Sequence, residues 1–382
     1  MLQTPPLSLY VHLPWCVRKC PYCDFNSHPV AGKLPERAYV EALLADLDQD
    51  LETLEVRPLI AIFFGGGTPS LFSPEAFSRL LAGIRARLPW ADDIEITLEA
   101  NPGTVESTKF EAFRALGVNR LSLGVQSFQD DKLQRLGRIH TAAEAVQAVE
   151  TARRAGFERI NLDLMFGLPG QTPADARHDL DTALALEPAH LSWYQLTLEP
   201  NTLFAKHPPP LPDDDRLWTI QTAGLERLAR AGFERYEISA YARPGRRCRH
   251  NLNYWRFGDY LGIGAGAHAK LTFAAENRIV RSHKIRHPWH YLEKAGTPTR
   301  LGGHQDIAPA ERPLEFLMNA LRLREGFYRG EFEARTGLPF SHLEPALAPL
   351  LEQGLLEGDG DTLRCSDTGW NFLDTVLARL TT

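Results

Sequence analysis

The sequence predicts an α/β fold, a TIM-like partial (β/α)6 barrel followed by a winged-helix-like α+β domain. Three observations lead there. Short apolar, β-branched runs alternate with helical patterns from the first residues to about residue 242, an order that implies a parallel sheet with right-handed crossovers. No dinucleotide fingerprint accompanies the six strand-helix units, so they suit an open barrel, with a doubly wound sheet as the structural alternative. Beyond about residue 305, helices lead into a short two-stranded wing and a last helix.

Leu7 to His12 reads as the first strand. Val40, Leu43, Leu44, Leu47, Leu51 and Leu54 then recur at helical spacing and predict a helix over roughly 36–55. Ile60 to Phe64 is the second strand, and Ser73-Pro74-Glu75 gives the following helix an N-cap, a first-turn Pro and a first-turn acid. Ile94 to Glu99, Leu121 to Val125, Ile160 to Met165 and Leu191 to Leu198 complete the six. Pro208-Pro209-Pro210 and Pro212 to Asp215 form a stiff loop and cap into another helix, and Tyr236 to Ala240 is a seventh short strand. From Arg243 to His304 the pattern dissolves into glycine, histidine and aromatic residues, expected as an irregular extension across the barrel mouth. Leu343, Ala346, Leu347, Leu350 and Leu351 share one helical face, and the wing turns on Gly358, Asp359 and Gly360. The expected domains are 1–242, 243–304 and 305–382.

With 382 residues, 43% hydrophobic and 24% charged, the chain can bury a sizeable core and is neither a single small module nor disordered overall. Its formal charge is −6. The last 78 residues hold seven Arg, no Lys and thirteen Asp and Glu, leaving 35 charges of each sign in the remainder. A nucleic-acid duplex repels so acidic a winged helix, so protein contact is expected there and nucleic acid is not. No apolar stretch reaches the ~20 residues of a membrane span. The opening residues show no basic segment ahead of an apolar one, so the expected location is the cytoplasm.

Five cysteines, an odd number without a signal segment, do not describe a disulfide framework. Three crowd into C-V-R-K-C-P-Y-C as Cys16, Cys20 and Cys23, directly after the first strand. Three thiolates can hold a four-iron, four-sulfur cluster and leave one iron open to an exogenous ligand. The alternatives are a zinc site completed by His12 or His28, or three unrelated thiols.

Other unusual residues fall at the ends of the following strands. Gly65-Gly66-Gly67-Thr68-Pro69 ends the second, where glycines let backbone carbonyls approach a ligand ammonium or form a plain turn. Glu99 ends the third, a carboxylate suited to ribose hydroxyls or an ammonium, and Gln126 ends the fourth. Asp163 interrupts the apolar fifth strand and needs a partner there. Arg138 supplies either an ion pair with Asp163 or a cation for a ligand carboxylate. Tyr10 and Tyr22 flank the cysteine loop, placed to pack on an adenine or shield a cluster, with a core role as the other option for Tyr10.

The cysteine loop resembles the signature of the radical S-adenosylmethionine superfamily. Nearly the whole chain resembles its HemN-like branch, which contains oxygen-independent coproporphyrinogen III oxidase and the HemW-type heme chaperones. Within that branch, P-W-C-V-R-K-C-P-Y-C-D-F-N-S-H resembles the chaperone subgroup. The resemblance implies a 4Fe-4S cluster on Cys16, Cys20 and Cys23, with S-adenosylmethionine chelated at the open iron through its amino and carboxylate groups. It also implies nucleotide contacts at Tyr10, Tyr22, Gly66, Gly67, Thr68, Glu99, Gln126, Arg138 and Asp163.

Two departures weigh against porphyrinogen decarboxylation. The oxidase has a fourth cysteine two places after the third, where this chain has Phe25 after Asp24, and the sequence starts only nine residues before Tyr10. Both match the chaperone subgroup, which also carries C-R-H-N-L-N-Y-W, here Cys248 to Trp255. His250 offers an imidazole to heme iron or serves as a structural histidine, and Tyr254, Trp255 and Phe257 are candidates to lie on a flat macrocycle. His268 is a second candidate ligand and Cys248 a weaker thiolate one. The implied function is a heme chaperone that passes heme to an acceptor protein, a membrane protein contacted peripherally among the options. The alternative is a radical oxidoreductase such as the coproporphyrinogen oxidase.

Overall fold

The computed structural model describes residues 1–104 and 107–380. Six strands lie side by side and parallel: β1 (Leu7–Leu13), β2 (Leu59–Gly66), β3 (Trp90–Ala100), β4 (Arg120–Gln126), β5 (Arg159–Phe166) and β6 (His190–Gln195). Leu9, Val11, Ile62, Phe64, Leu98, Leu121 and Leu123 are fully buried within them, because helices cover the outer face of a parallel sheet while the lumen fills the inner one. The covering helices are α1 (Glu36–Leu51), α2 (Pro74–Arg87), α3 (Ser107–Ala115), α4 (Ala142–Arg154), α5 (Pro173–Ala185) and α6 (Asp214–Arg230). Ser73 Oγ accepts from the Ala76 N–H at 3.2 Å at the start of α2, and Thr141 and Thr172 close capping boxes on α4 and α5.

The seventh strand expected over Tyr236 to Ala240 is instead two, β7 (Glu234–Glu237) and β8 (Ala240–Ala242), paired antiparallel. Glu237 causes the break: its carboxylate accepts from the Ser239 N–H at 3.0 Å and hydroxyl at 3.1 Å, turning the chain between them.

The largest departure lies in residues 243–304. In place of an irregular strap over the mouth there is a helix, α7 (Arg249–Trp255), and then β9 (Asp259–Ile263), β10 (His268–Phe273), β11 (Arg278–Lys284) and β12 (Leu301–Asp306). These strands extend the sheet outward from β1, giving the order β12-β11-β10-β9-β1-β2-β3-β4-β5-β6-β8-β7. β9 runs parallel to β1 and the next three alternate antiparallel. Charges that interrupt the apolar pattern are buried and paired here: Lys270 Nζ lies 2.9 Å from Asp259, and Lys284 Nζ lies 3.0 Å from Asp46 and 2.7 Å from Asp50.

Register fixes the place of α7. Arg120, Arg159 and His190 open their strands at one end of the barrel, near Glu95. The Glu95 carboxylate accepts from the Cys248 thiol at 3.5 Å, the Arg249 N–H at 2.9 Å and the His250 N–H at 3.4 Å. α7 therefore closes the barrel floor, opposite the strand ends that carry the cysteine loop.

The C-terminal residues fold around a second core. α8 (Arg312–Ala320), α9 (Arg329–Thr336) and α10 (Glu344–Glu352) pack with a three-stranded sheet of β13 (Phe327–Tyr328), β14 (Leu356–Asp359) and β15 (Thr362–Cys365), β15 in the middle. Phe316 meets Phe327 and Phe332 edge-on at 4.9 and 5.4 Å. Burial in this core pushes the Cys365 thiol up to about 12, so it packs as a small hydrophobe. No described helix is long and apolar enough to cross a membrane.

Candidate functional site

The C-terminal ends of the parallel strands open into a cavity of about 430 Å³. Cys16, Cys20, Tyr22 and Cys23 line one side of it, and Gly66, Gly67 and Thr68 the adjoining wall. Glu99, Gln126, Arg138 and Asp163 complete it from β3, β4, the chain after β4, and β5.

The cysteine loop is closed at its base by parallel pairing of Trp15–Cys16 with His28–Pro29, and tightened by the Cys23 N–H donating to Cys20 O at 3.1 Å. Each sulfur has a polar side chain beside it. Thr68 Oγ1 donates to Cys16 Sγ at 3.6 Å, Arg138 Nη1 to Cys20 Sγ at 3.7 Å, and Ser27 Oγ lies 3.6 Å from Cys23 Sγ. Burial pushes the Cys16 and Cys23 thiols up, a cost that a bound cation offsets by favouring thiolate. Phe25 sits exposed at the cavity rim. Asn26, which the sequence reading passed over, pins the loop: its Nδ2 donates to Ala265 O at 2.9 Å and Arg286 O at 2.8 Å.

The glycine wall is required by the protein itself as well as by any ligand. Gly66 has φ 112°, and a Cβ there would lie 2.5 Å from the His12 ring; one on Gly67 would lie 2.5 Å from Trp15 O. The Gly66 N–H is thereby left pointing at Glu99, donating to Oε2 at 3.2 Å.

Glu99 is half-buried in the cavity wall, and its desolvation together with the nearby Asp163 charge raises its pKa to about 8. A carboxyl whose pKa is raised by folding favours the native state below its unfolded value and loses that contribution as pH climbs through the folded value. The ligand-free protein is therefore expected to lose thermal stability relative to Glu99→Gln between about pH 4.5 and 8. Melting curves that stay parallel over that range would contradict a Glu99 carboxyl whose pKa is raised by folding.

Among the described residues no ion pair joins Asp163 to Arg138. Burial raises the Asp163 pKa, while Ser122 Oγ at 2.9 Å and Asn161 Nδ2 at 2.7 Å donate to its carboxylate. Arg138 turns the other way, donating to Gly124 O at 2.6 Å, and its buried Nε has no hydrogen-bond partner. Gln126 holds a left-handed backbone at φ 71° at the end of β4 and accepts from the Tyr194 hydroxyl at 2.9 Å. Strain of this kind in a non-glycine residue concentrates at sites that bind something. Ser122, Ser192 and Tyr194 also line the cavity. The serines' signal was a polar residue on alternate positions of otherwise apolar strands.

Tyr10 and His250 do not line the cavity. Tyr10 faces the lumen below it, its hydroxyl 3.0 Å from His12 Nδ1 and its ring 6.2 Å from that of His250. His250 rises from α7 against Phe63, 4.9 Å between ring centres, and its buried Nδ1 has no partner. Burial, helped by the Arg120 charge, lowers its pKa to about 4, so the imidazole is neutral. Trp255 lies under Arg322 at 4.3 Å, while Phe257 is buried beneath the Lys270 ammonium and cannot present a face to a macrocycle. Burial pushes the Cys248 thiol up to about 12, and it donates to Glu95, which removes it as a thiolate ligand. His268 is exposed on β10, stacked on His283 at 5.3 Å.

The chain matches the Radical SAM superfamily over residues 10–183 and the HemN C-terminal domain over residues 307–372. It is 52% identical to the heme chaperone HemW of Escherichia coli (strain K12), over 99% of this chain and 98% of that protein. It is 34% identical to the heme chaperone HemW of Bacillus subtilis (strain 168), over 95% of this chain and 96% of that protein. Among solved structures, the coproporphyrinogen III oxidase HemN from Escherichia coli, a radical SAM enzyme, superposes with a TM-score of 0.84 at 23% identity. That match covers 99% of this chain and 91% of the oxidase chain, and is a likeness of fold.

Proposed function

Because this chain belongs to the heme chaperone HemW family of the radical SAM superfamily, we propose that it carries a 4Fe-4S cluster, binds S-adenosylmethionine and delivers heme to an acceptor protein. The observation that carries this reading is the convergence of three thiols, Glu99, Arg138 and Asp163 on one cavity at the strand ends. Among the described residues no three His, Cys, Asp or Glu side chains gather closely enough for a single ion. Three thiols set apart along one side of a cavity suit a cluster bound through separate irons better than one zinc ion.

When bound, a cluster held by Cys16, Cys20 and Cys23 would supply a site for the nucleotide at an iron without a protein ligand, and one-electron reducing chemistry there. The hydroxyl of Thr68 and the guanidinium of Arg138 donate to ligand sulfurs, and such outer partners set the charge those ligands carry. Glu99 and Asp163 act as acceptors for ammonium or ribose hydroxyls, and Arg138 retains an unpartnered Nε toward a carboxylate.

Heme is the cargo, and His250 is the proposed ligand. Its support is the neutral imidazole with a free Nδ1. The ring faces the lumen, so ligation requires α7 to turn. The acceptor docks on the acidic C-terminal domain, whose thirteen acids exceed its seven Arg.

Cluster-loaded protein titrated with heme is expected to develop a Soret band at one heme per chain and to lose it to added apo-acceptor, with the band absent in His250→Ala. A band kept in His250→Ala and lost in His268→Ala moves the ligand to β10. Conversion of coproporphyrinogen to protoporphyrinogen by the loaded protein overturns the chaperone reading.

A further inference from the structure

The barrel core holds a hydrogen-bond chain that connects the cavity to the floor. Asn161 Nδ2 donates to Asp163 Oδ1 at 2.7 Å and to Ser122 Oγ at 2.7 Å, which commits both amide hydrogens. The flipped amide would set its oxygen against the Asp163 carboxylate, so Oδ1 faces away, 2.6 Å from His190 Nδ1. His190 Nδ1 therefore carries the ring proton. Its Nε2 is left as an acceptor, 2.8 Å from the Tyr236 hydroxyl. The Tyr236 oxygen in turn accepts from the N–H of Cys248, the N-cap of α7, at 3.3 Å.

Every donor in this series points the same way, from the first turn of α7 to Asp163. Asn161, His190 and Tyr236 are each 2% exposed. Ser192 Oγ also donates to Asn161 Oδ1, at 3.2 Å, and Ser122 Oγ to Asp163, at 2.9 Å, but a buried polar group that loses a partner pays in desolvation, so each link favours the matching orientation of the next. Burial holds His190 far below its ordinary pKa, and the neutral ring keeps the single tautomer that the chain needs.

We propose that His190 and Tyr236 are positioning residues that fix Asp163 as an acceptor toward the nucleotide and tie its orientation to the first turn of α7, the helix bearing His250. The proposal rests on reading the cavity as the nucleotide site. Because coupling between sites is reciprocal, nucleotide binding then steadies α7, and loosening α7 weakens nucleotide binding.

The test is hydrogen exchange of residues 248–255 in cluster-loaded protein, with and without S-adenosylmethionine. Wild type is expected to exchange these amides at least about threefold more slowly with nucleotide bound. Tyr236→Phe, which keeps the ring and deletes one link, is expected to bind nucleotide about fivefold more weakly and to lose the response, on the scale of one buried hydrogen bond. An equal response in Tyr236→Phe, or none in nucleotide-bound wild type, overturns the proposal. If no nucleotide binds, the functional reading fails, and the relay is judged on the ligand-free protein by side-chain ¹⁵N NMR of His190. An Nδ1–H tautomer supports it there; an Nε2–H tautomer or a charged ring overturns it.

Discussion

Alanine at Cys16, Cys20 or Cys23 is expected to abolish the iron-sulfur absorbance of the reconstituted protein and, with it, nucleotide binding. On the proposed assignment of three protein ligands to four irons there is no spare cysteine, and the other two lie elsewhere: Cys248 in the barrel floor and Cys365 in the C-terminal core. Loss of an outer partner of a metal ligand commonly costs 10–100-fold in affinity, so loss of the ligand itself should exceed about 100-fold. Cys248→Ala and Cys365→Ala are the internal controls and should keep the absorbance, since neither thiol reaches the cavity. Absorbance retained in all three loop variants would remove the cluster from these residues. Loss on Cys248→Ala with stability intact would place a ligand in the floor.

What the sequence made legible follows from where each residue's partners lie along the chain. β1 to β6 were readable because a parallel strand covered on both faces must be almost wholly apolar, and Leu9, Ile62, Leu98 and Leu121 say so without reference to anything distant. The cysteine loop and the glycine wall were readable because they sit at strand ends, where the alternation itself marks the ligand-binding side. β10 and β11 were not, because Lys270 and Lys284 look like solvent-facing residues until Asp259, Asp46 and Asp50 are brought to them. The position of His250 was equally hidden. Its segment reads as part of an extension across the barrel mouth, and only the register that puts Glu95 at the barrel floor turns α7 inward. Arg138 shows the same limit in the site: whether it pairs with Asp163 depends on how the chain after β4 meets β5, and of the two options the sequence left open the ion pair does not form, the guanidinium turning to Cys20 and Gly124.

The buried charges that concealed those strands should also dominate their stability. Asp46 and Asp50 on α1 meet Lys284 at the end of β11 and Arg300 just before β12, two charges of each sign. The Lys284 side chain and that of Asp46 are fully buried. Asp46 Oδ2 also accepts from the Tyr291 hydroxyl at 2.7 Å and the Gly264 N–H at 3.2 Å. Lys284→Met leaves two carboxylates sharing one guanidinium without water, and breaking a buried pair in this way costs about 3–5 kcal/mol. Asp46→Asn combined with Lys284→Met restores charge balance through Asp50 and Arg300, and the asparagine oxygen still accepts from Tyr291 and Gly264, while the Arg300 Nε–H loses its Asp46 acceptor and the guanidinium keeps Asp50. The double variant is therefore expected to unfold at a higher urea midpoint than Lys284→Met alone, although it carries one more substitution. A double variant less stable than the single one would show that the network holds through its individual hydrogen bonds and not through its balance of charge. The consequence reaches the site, because Gly264 begins the turn whose Ala265 carbonyl holds Asn26 and so the cysteine loop. If the proposed cluster is loaded, Lys284→Met should accordingly lose it faster than the double variant does.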